Sequence, residues 1–170
     1  MINYSKDENN IVTLNFNMTE SPVNVINEAS MFAFQEALEK ALTDSSVKGI
    51  ILTSSKKEFV VGADLNMIIH IMTADEICNA TNRLHQIFRR METGGKPVVA
   101  AINGTALGGG FEICLACHYR IAVNNSKIEI GLPEVMLGLL PGGGGTQRLP
   151  RLIGIQESLR TLMEGQKLRP

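Results

Sequence analysis

Asn103-Gly104-Thr105-Ala106-Leu107-Gly108-Gly109-Gly110-Phe111-Glu112 is the stretch that decides how this chain folds. The apolar run Pro97-Val98-Val99-Ala100-Ala101-Ile102 leads into it, and the helical pattern Ile113-Cys114-Leu115-Ala116-Cys117 leads out. A buried strand, a glycine-rich turn and a helix start therefore follow one another. Adjacent glycines carry no Cβ, so their backbone N–H groups are open to close approach. The helix that follows adds the positive end of its dipole. Such a turn can hold an anion or a developing oxyanion, and Glu112 stands beside it as a possible general base. The same residues also read as a tight turn between close-packed backbones, with Glu112 a solvated helix residue.

Working outward, Ile11-Val12-Thr13-Leu14-Asn15-Phe16 is β-rich and partly alternating, and predicts an early strand. Met31, Phe34, Leu38, Ala41 and Leu42 fall on one helix face, which Asp44-Ser45-Ser46 ends. Residues 47–53 centre on Ile50-Ile51-Leu52, the pattern of a strand buried on both faces. Phe59-Val60-Val61-Gly62-Ala63-Asp64 is apolar and turns on its glycine, and residues 65–72 form a short helix or covering loop. Thr73-Ala74-Asp75-Glu76 is a capping box. After it, Ile77, Ala80, Leu84, Ile87, Phe88 and Met91 trace one helix face up to the stop at Gly94-Gly95. Beyond the central helix, residues 119–123 and 127–130 read as short strands. Residues 146–153 look helical but interrupted by Pro150, and residues 156–164 make a last helix. Strands alternating with helices predict an α/β class with partly parallel pairing.

At 170 residues the default is one domain with one sizeable core. The net charge of −1, with no basic block, argues against nucleic acid and an anionic membrane surface as partners. No apolar run is long enough to predict a membrane span, and the first residues lack the pattern of a secretory signal. Three cysteines do not fit a disulfide framework, which points to a reduced, cytoplasmic setting.

Cys114-Leu115-Ala116-Cys117-His118 matches both a haem-attachment pattern and a redox spacing, but it lies in an apolar helix, where cysteine serves as a small hydrophobe. His70 and His85 have no paired spacing, so no metal set is expected. The run Gly142-Gly143-Gly144-Gly145-Thr146 lacks the Lys-Ser/Thr ending of a phosphate loop. No dinucleotide fingerprint or nucleophile elbow is present.

Two glycine turns and two carboxylates remain. Gly62-Ala63 and Gly108-Gly109-Gly110 each follow an apolar run, and each can aim a backbone N–H at the same carbonyl oxygen. Glu112 and Glu134 each sit just beyond a glycine or proline turn. Two carboxylates with separated pKa values can share acid and base work. On local sequence alone, Glu134 reads first as a helix-start carboxylate complementing the dipole.

Phe59-Val60-Val61-Gly62-Ala63-Asp64-Leu65, the Asn103-to-Glu112 stretch, and Gly131-Leu132-Pro133-Glu134 followed by residues 139–148 together resemble the crotonase, or enoyl-CoA hydratase, superfamily. The blocks occur in the family's order across nearly the whole chain. The resemblance implies an α/β fold of the crotonase (ClpP/crotonase) type, a spiral of ββα units that binds acyl-CoA thioesters. By position, the N–H groups of Ala63 and Gly109 would form an oxyanion hole. Glu112 and Glu134 would hold water and deliver oxygen to Cβ and a proton to Cα. Gly142 would help place substrate and water, and Lys57 and Val61 would lie near the adenine end of CoA. Residues 116–122, 138–142 and 146–154 are most similar to the hydratase domain of multifunctional β-oxidation α subunits.

On that resemblance, residues 1–170 are an enoyl-CoA hydratase/isomerase core that stops before its C-terminal helices. The apolar positions Leu152, Ile153, Ile155, Leu159, Leu162 and Met163 then call for later helices, of the same or a neighbouring subunit, to cover them. The expected activity is hydration of trans-2-enoyl-CoA. The alternatives are Δ3-Δ2-enoyl-CoA isomerisation in the same site and an idle domain that binds acyl-CoA or supports assembly. No covalently bound cofactor is expected, and NAD would serve only a 3-hydroxyacyl-CoA dehydrogenase domain, of which these residues contain none. The expected partners are a homo-oligomer or a β-oxidation complex with a thiolase.

Overall fold

The computed structural model describes residues 1–70 and 73–170. Along the chain run β1 (Ile2–Lys6), β2 (Ile11–Phe16), α1 (Glu28–Thr43), β3 (Gly49–Ser54), α2 (Leu65–His70), α3 (Ala74–Thr93), β4 (Val98–Ile102), β5 (Ala106–Leu107), α4 (Gly109–Leu115), β6 (Tyr119–Ala122), β7 (Ile130–Gly131), a 3-10 turn (Pro133–Leu137), α5 (Gly145–Ile153), α6 (Ile155–Met163) and β8 (Lys167–Leu168). The long strands form one sheet in the order β1-β2-β3-β4-β6. Only β1 is antiparallel to its neighbour; the others pair in parallel.

A second, smaller layer repeats that order. Ile26 bridges Ala63, Val60 bridges Ala106, and β5 pairs with β7, all in parallel. Each long strand is thus followed by a short extended piece and then a helix: β2, Ile26 and α1; β3, residues 60–63 and α2–α3; β4, β5 and α4; β6, β7 and the 3-10 turn with α5. Each unit steps over by one strand in both layers, which is the expected spiral of ββα units. Buried side chains of the sheet and helices fill the space between, with the Phe16 ring tilted against Phe34 at 5.3 Å and against Phe59 at 6.0 Å.

Buried polar groups fasten successive units. The Asn24 amide donates to the Phe16 carbonyl, the Ser54 hydroxyl and the Phe59 carbonyl, while its Oδ1 accepts from the Met18 N–H. The Asn24 carbonyl in turn accepts from the Val61 N–H at 3.0 Å, which fixes the approach to the Gly62-Ala63 turn. A buried amide with all these partners is stabilising, whereas one without them would be costly.

Helix α1 buries the predicted face, and Asn27 with Ser30 closes a reciprocal capping box at its start. The predicted cap of α3, Thr73 with Glu76, is also formed. Its apolar face departs from expectation, because Ile87, Phe88 and Met91 are buried while Ile77 and Ala80 are exposed. The helix runs past the layer beneath it, so the same periodicity meets core at one end and solvent at the other. The expected short helix at residues 65–72 forms as α2, and Ile71 and Met72 lie outside the described residues.

Other expectations shift. On β3 only alternate residues from Ile50 are fully buried, while Ile51 and Thr53 are half-covered. Of the expected strand at residues 127–130 only Ile130 pairs, because Asn125 turns the chain with its side chain on the Lys127 N–H and its carbonyl on the Ile128 N–H. Pro150 does not interrupt α5: its fixed φ suits a helix, and the cost is one missing N–H donor. β1 was not expected, since Ile2-Asn3-Tyr4-Ser5-Lys6 has no buried alternation and pairs as a sheet edge.

Towards the end of the chain, apolar side chains face outward. Ile155 is 71% and Met163 69% exposed, Leu152, Ile153 and Leu159 are exposed as well, and only Leu162 packs against the core. Among the described residues no helix is long and apolar enough to cross a membrane.

Candidate active site

The central glycine turn is built by close approach. Gly110 sits where a Cβ would fall 2.0 Å from the Val60 carbonyl oxygen, so only glycine lets α4 start against the neighbouring unit. Gly108, at φ 53°, turns the chain into α4, and its N–H donates to the Gly131 carbonyl at 2.9 Å. Gly109 is the first residue of α4, where a backbone N–H has no partner within the helix. Among the described residues it donates to nothing. The Ala63 N–H is likewise without a partner there, since the bridge to Ile26 uses the Gly62 carbonyl and the Asp64 N–H. The Gly62 Cα would lie 3.6 Å from a Cβ on Gly108, so the two turns touch. Ala63 and Gly109 are both partly exposed. Two unpaired donors therefore stand side by side at an accessible edge of the small layer.

The two carboxylates converge on the same turn. A Cβ on Gly108 would lie 3.2 Å from Glu134 Oε1, and one on Gly109 would lie 3.9 Å from Glu112 Oε2. Glu112 is carried by α4 and is only 2% exposed. Its Oε2 accepts from the Gly143 N–H at 2.9 Å and its Oε1 from the Gly145 N–H at 2.7 Å. Burial holds its pKa above the ordinary carboxylate value; the amides of Gly145 and Gly143, and the charges of Arg148 and His85, oppose that rise only in part.

Glu134 opens the 3-10 turn behind Pro133. Its Oε2 is buried with no hydrogen-bond partner among the described residues. Burial is the main cause that pushes its carboxyl up to about 7, and the nearby Glu112 charge adds to it. One carboxylate is thus fixed on both oxygens, and the other has a buried oxygen without a partner and a pKa raised to about 7.

The loop at residues 142–145 supplies the Glu112 amides. Gly143 and Gly145 have no space for a side chain: a Cβ would meet Glu112 Oε2 at 2.6 Å in the first case and Leu132 Cδ1 at 2.7 Å in the second. Arg148 holds the loop from behind, donating to the Gly143 carbonyl at 2.9 Å, pairing with Glu92 at 2.6 Å and lying 5.5 Å over the Phe88 ring. Burial raises Glu92, but its contacts with Arg148 and Arg89 together outweigh that and hold its carboxyl below the ordinary value.

Gly142 lies at the mouth of this loop. Its carbonyl is taken by His85 Nε2 at 2.7 Å, and its N–H has no partner among the described residues. Gly143, Gly145, Arg148 and His85 carry no separate signal in the sequence: a glycine run and a helical arginine have many uses, and only the fold brings them to Glu112. Lys57 is exposed, with no polar partner among the described residues, and Val61 is half-buried beside the Gly62-Ala63 turn.

The cysteine motif lies away from this chemistry. Cys114 and Cys117 are buried in α4 and the turn after it, donating to the Gly110 and Ile113 carbonyls. Burial pushes the Cys117 thiol up to about 12 and the Cys114 thiol well above its usual value, so both stay protonated. Among the described residues no group of three or more His, Cys, Asp or Glu side chains is arranged to hold a metal ion.

The family described as enoyl-CoA hydratase/isomerase matches residues 6–170. The chain is 42% identical over 163 residues to the fatty acid oxidation complex subunit alpha of Shewanella loihica, covering 95% of this chain and 23% of that protein. It is 41% identical over 169 residues to the subunit of the same name from Shewanella oneidensis, covering 99% of this chain and 24% of that protein. It therefore spans about a quarter of the length of these curated relatives. Among solved structures, the enoyl-CoA hydratase of Bacillus anthracis superposes with a TM-score of 0.89 at 33% identity, covering 98% of this chain and 64% of that one. The enoyl-CoA hydratase of Thermoplasma volcanium gives 0.90 at 28% identity, covering 98% and 65%.

Proposed function

The chain belongs to the enoyl-CoA hydratase/isomerase family and has its crotonase-type fold, and on that premise we propose that it adds water across the double bond of trans-2-enoyl-CoA. The observation that carries the proposal is the convergence of two unpaired N–H donors and two carboxylates on Gly108-Gly109.

The thioester oxygen sits between the N–H groups of Ala63 and Gly109. Negative charge grows on it as the enolate forms, so preorganised donors there lower the barrier. Glu112, held by two amides, accepts a proton from water in its carboxylate form as the water oxygen bonds to Cβ. Carboxylate oxygens have lone pairs to spare beyond those amides. Glu134, protonated near neutrality, delivers its proton to Cα. The elements of water are then added, and one proton passing from Glu112 to Glu134 restores the starting state. The formal oxidation at Cβ and reduction at Cα cancel, so the substrate keeps its oxidation level and no redox cofactor enters the balance. Gly142, whose N–H is open, helps place substrate and water, while Lys57 and Val61 lie on the side given to the adenine end of CoA.

Isomerisation of a Δ3 double bond to Δ2 needs one proton shuttle, which Glu134 alone would supply. The fixed carboxylate of Glu112 favours hydration, since it has no task in isomerisation. On the same reading the domain serves fatty acid β-oxidation within a complex that includes a thiolase. Its free cysteines, Cys78, Cys114 and Cys117, suit the reducing cytoplasm. The test is loss of the enoyl-thioester absorbance on adding the protein, beside a titration with CoA. Turnover supports hydration. Binding without turnover would assign an idle acyl-CoA-binding or assembly domain instead.

A further inference from the structure

We propose that His85 is a positioning residue for Glu112, acting through the peptide bond between Gly142 and Gly143; its catalytic consequence rests on the hydratase reading. The two ends of that one peptide unit are both engaged. Its carbonyl, on Gly142, accepts from His85 Nε2 at 2.7 Å. Its N–H, on Gly143, donates to Glu112 Oε2 at 2.9 Å. A carbonyl oxygen only accepts, so His85 Nε2 carries the hydrogen. Pulling electron density toward that oxygen makes the N–H at the other end a better donor, as in any chain of hydrogen bonds. The same bond fixes the rotation of the peptide plane, and hence the direction in which Gly143 points its N–H. Gly143 has no side chain to set that direction, and a Cβ there would strike Glu112 itself.

The next peptide is held differently. Its carbonyl, on Gly143, accepts from Arg148, which is locked by Glu92 and the Phe88 ring. Its N–H belongs to Gly144, while the second amide on Glu112 comes from Gly145. Arg148 is therefore part of the packing, whereas His85 is exposed and its imidazole can be changed with little cost to the fold. His85 lines an open groove of about 380 Å³. The charged groups facing it there are Arg89 and Glu92 from its own helix and Arg148 and Arg151 from α5, with Glu112 behind the loop. Glu92 offsets one of the arginines, so the groove is cationic, and Arg148 in it opposes the rise that burial imposes on Glu112.

The test compares wild type with His85→Leu, which removes the donor, and His85→Gln, which keeps an N–H within reach. His85→Leu should lower kcat about tenfold, the size expected for one weakened hydrogen bond, with KM for the thioester nearly unchanged. Losing the donor raises the Glu112 pKa, so the acid limb of the kcat profile should move to higher pH. His85→Gln should restore most of kcat and move the limb back. An activity-free readout is the Gly143 amide proton resonance, which should move upfield in His85→Leu and return in His85→Gln. If wild type turns over no enoyl thioester, the hydratase reading fails, and the Gly143 resonance still decides whether His85 acts through the peptide. An unchanged Gly143 resonance in His85→Leu, or normal kcat and pH profile in a turning-over enzyme, would overturn the proposal.

Discussion

Glu112 and Glu134 are the same residue type on two differently built supports. Glu112 rides on α4, deep in the spiral, with an amide on each oxygen. Glu134 rides on a short 3-10 turn whose next residues, Val135, Met136 and Leu137, are exposed, and its buried Oε2 has no partner among the described residues. Burial raises both pKa values, but amides and cationic neighbours oppose the rise at Glu112, while a neighbouring carboxylate adds to it at Glu134. Donors around a buried carboxylate limit how far burial raises its pKa, and like charges extend the rise.

The largest expected effect tests whether both supports serve one reaction. Glu112→Gln and Glu134→Gln should each lower hydration kcat by about 10²–10⁴-fold, the range of a positioned acid or base, with CoA affinity little changed. If one variant kept near-normal hydration while the other lost it, the division of labour would collapse into a single-carboxylate site.

Next in size is the proposed oxyanion site at Ala63 and Gly109. Gly109→Pro removes one donor N–H and should reduce turnover by about 10²–10³-fold. In wild type, the carbonyl stretch of a bound thioester analogue should fall in frequency. An unshifted band in a saturated complex would remove Ala63 and Gly109 from the mechanism.

Stability separates the carboxylates by sign. In Glu112→Gln the side-chain NH2 must face an amide donor, so the fold should lose about 1–3 kcal/mol. Glu134 has a folded pKa of about 7, above its ordinary value of 4.5. The folded state therefore binds more protons than the unfolded one between those values, and stability falls as pH rises through that window. Glu134→Gln should remove this slope and stabilise the protein at pH 8 by ~1–2 kcal/mol, after allowing for the partial exposure of the group. Below pH 4.5 the advantage should vanish. Urea melts at pH 4 and pH 8 measure both effects, and a destabilised Glu134→Gln at pH 8 would contradict the surroundings described for it.

The smallest effect lies at the rim. Lys57→Ala should raise KM for the CoA thioester about two- to fivefold at low salt, with kcat held, and the difference should fade as salt screens an exposed contact. A fall in kcat instead would place Lys57 with the carboxylates.

Much of this was legible in the sequence because it rests on local chemistry. The capping box at Thr73, the inner face of α1 and the strand-turn-helix at residues 97–117 follow from spacing alone. The quoted blocks also carried the family, and with it Glu112, Glu134, Ala63 and Gly109 as candidates. Other features were not legible. The exposed start of α3 has the same periodicity as its buried end, since spacing records a face and not what covers it. β1 and β8 pair at sheet edges through backbone groups that side-chain patterns do not report.

The sequence by itself determined which residues are able to act: glycines that open backbone N–H groups, carboxylates placed after turns, apolar periodicity that forces strands and helices to bury one face. Tertiary structure alone decided which groups meet. Gly143 and Gly145 lie 31 and 33 residues from Glu112 along the chain, and His85 lies 57 residues from the Gly142 carbonyl that it holds. Hydrogen bonds act over about 3 Å and pKa values respond to the few groups in reach. The surroundings of two identical side chains were therefore set only when the spiral placed its loops against them.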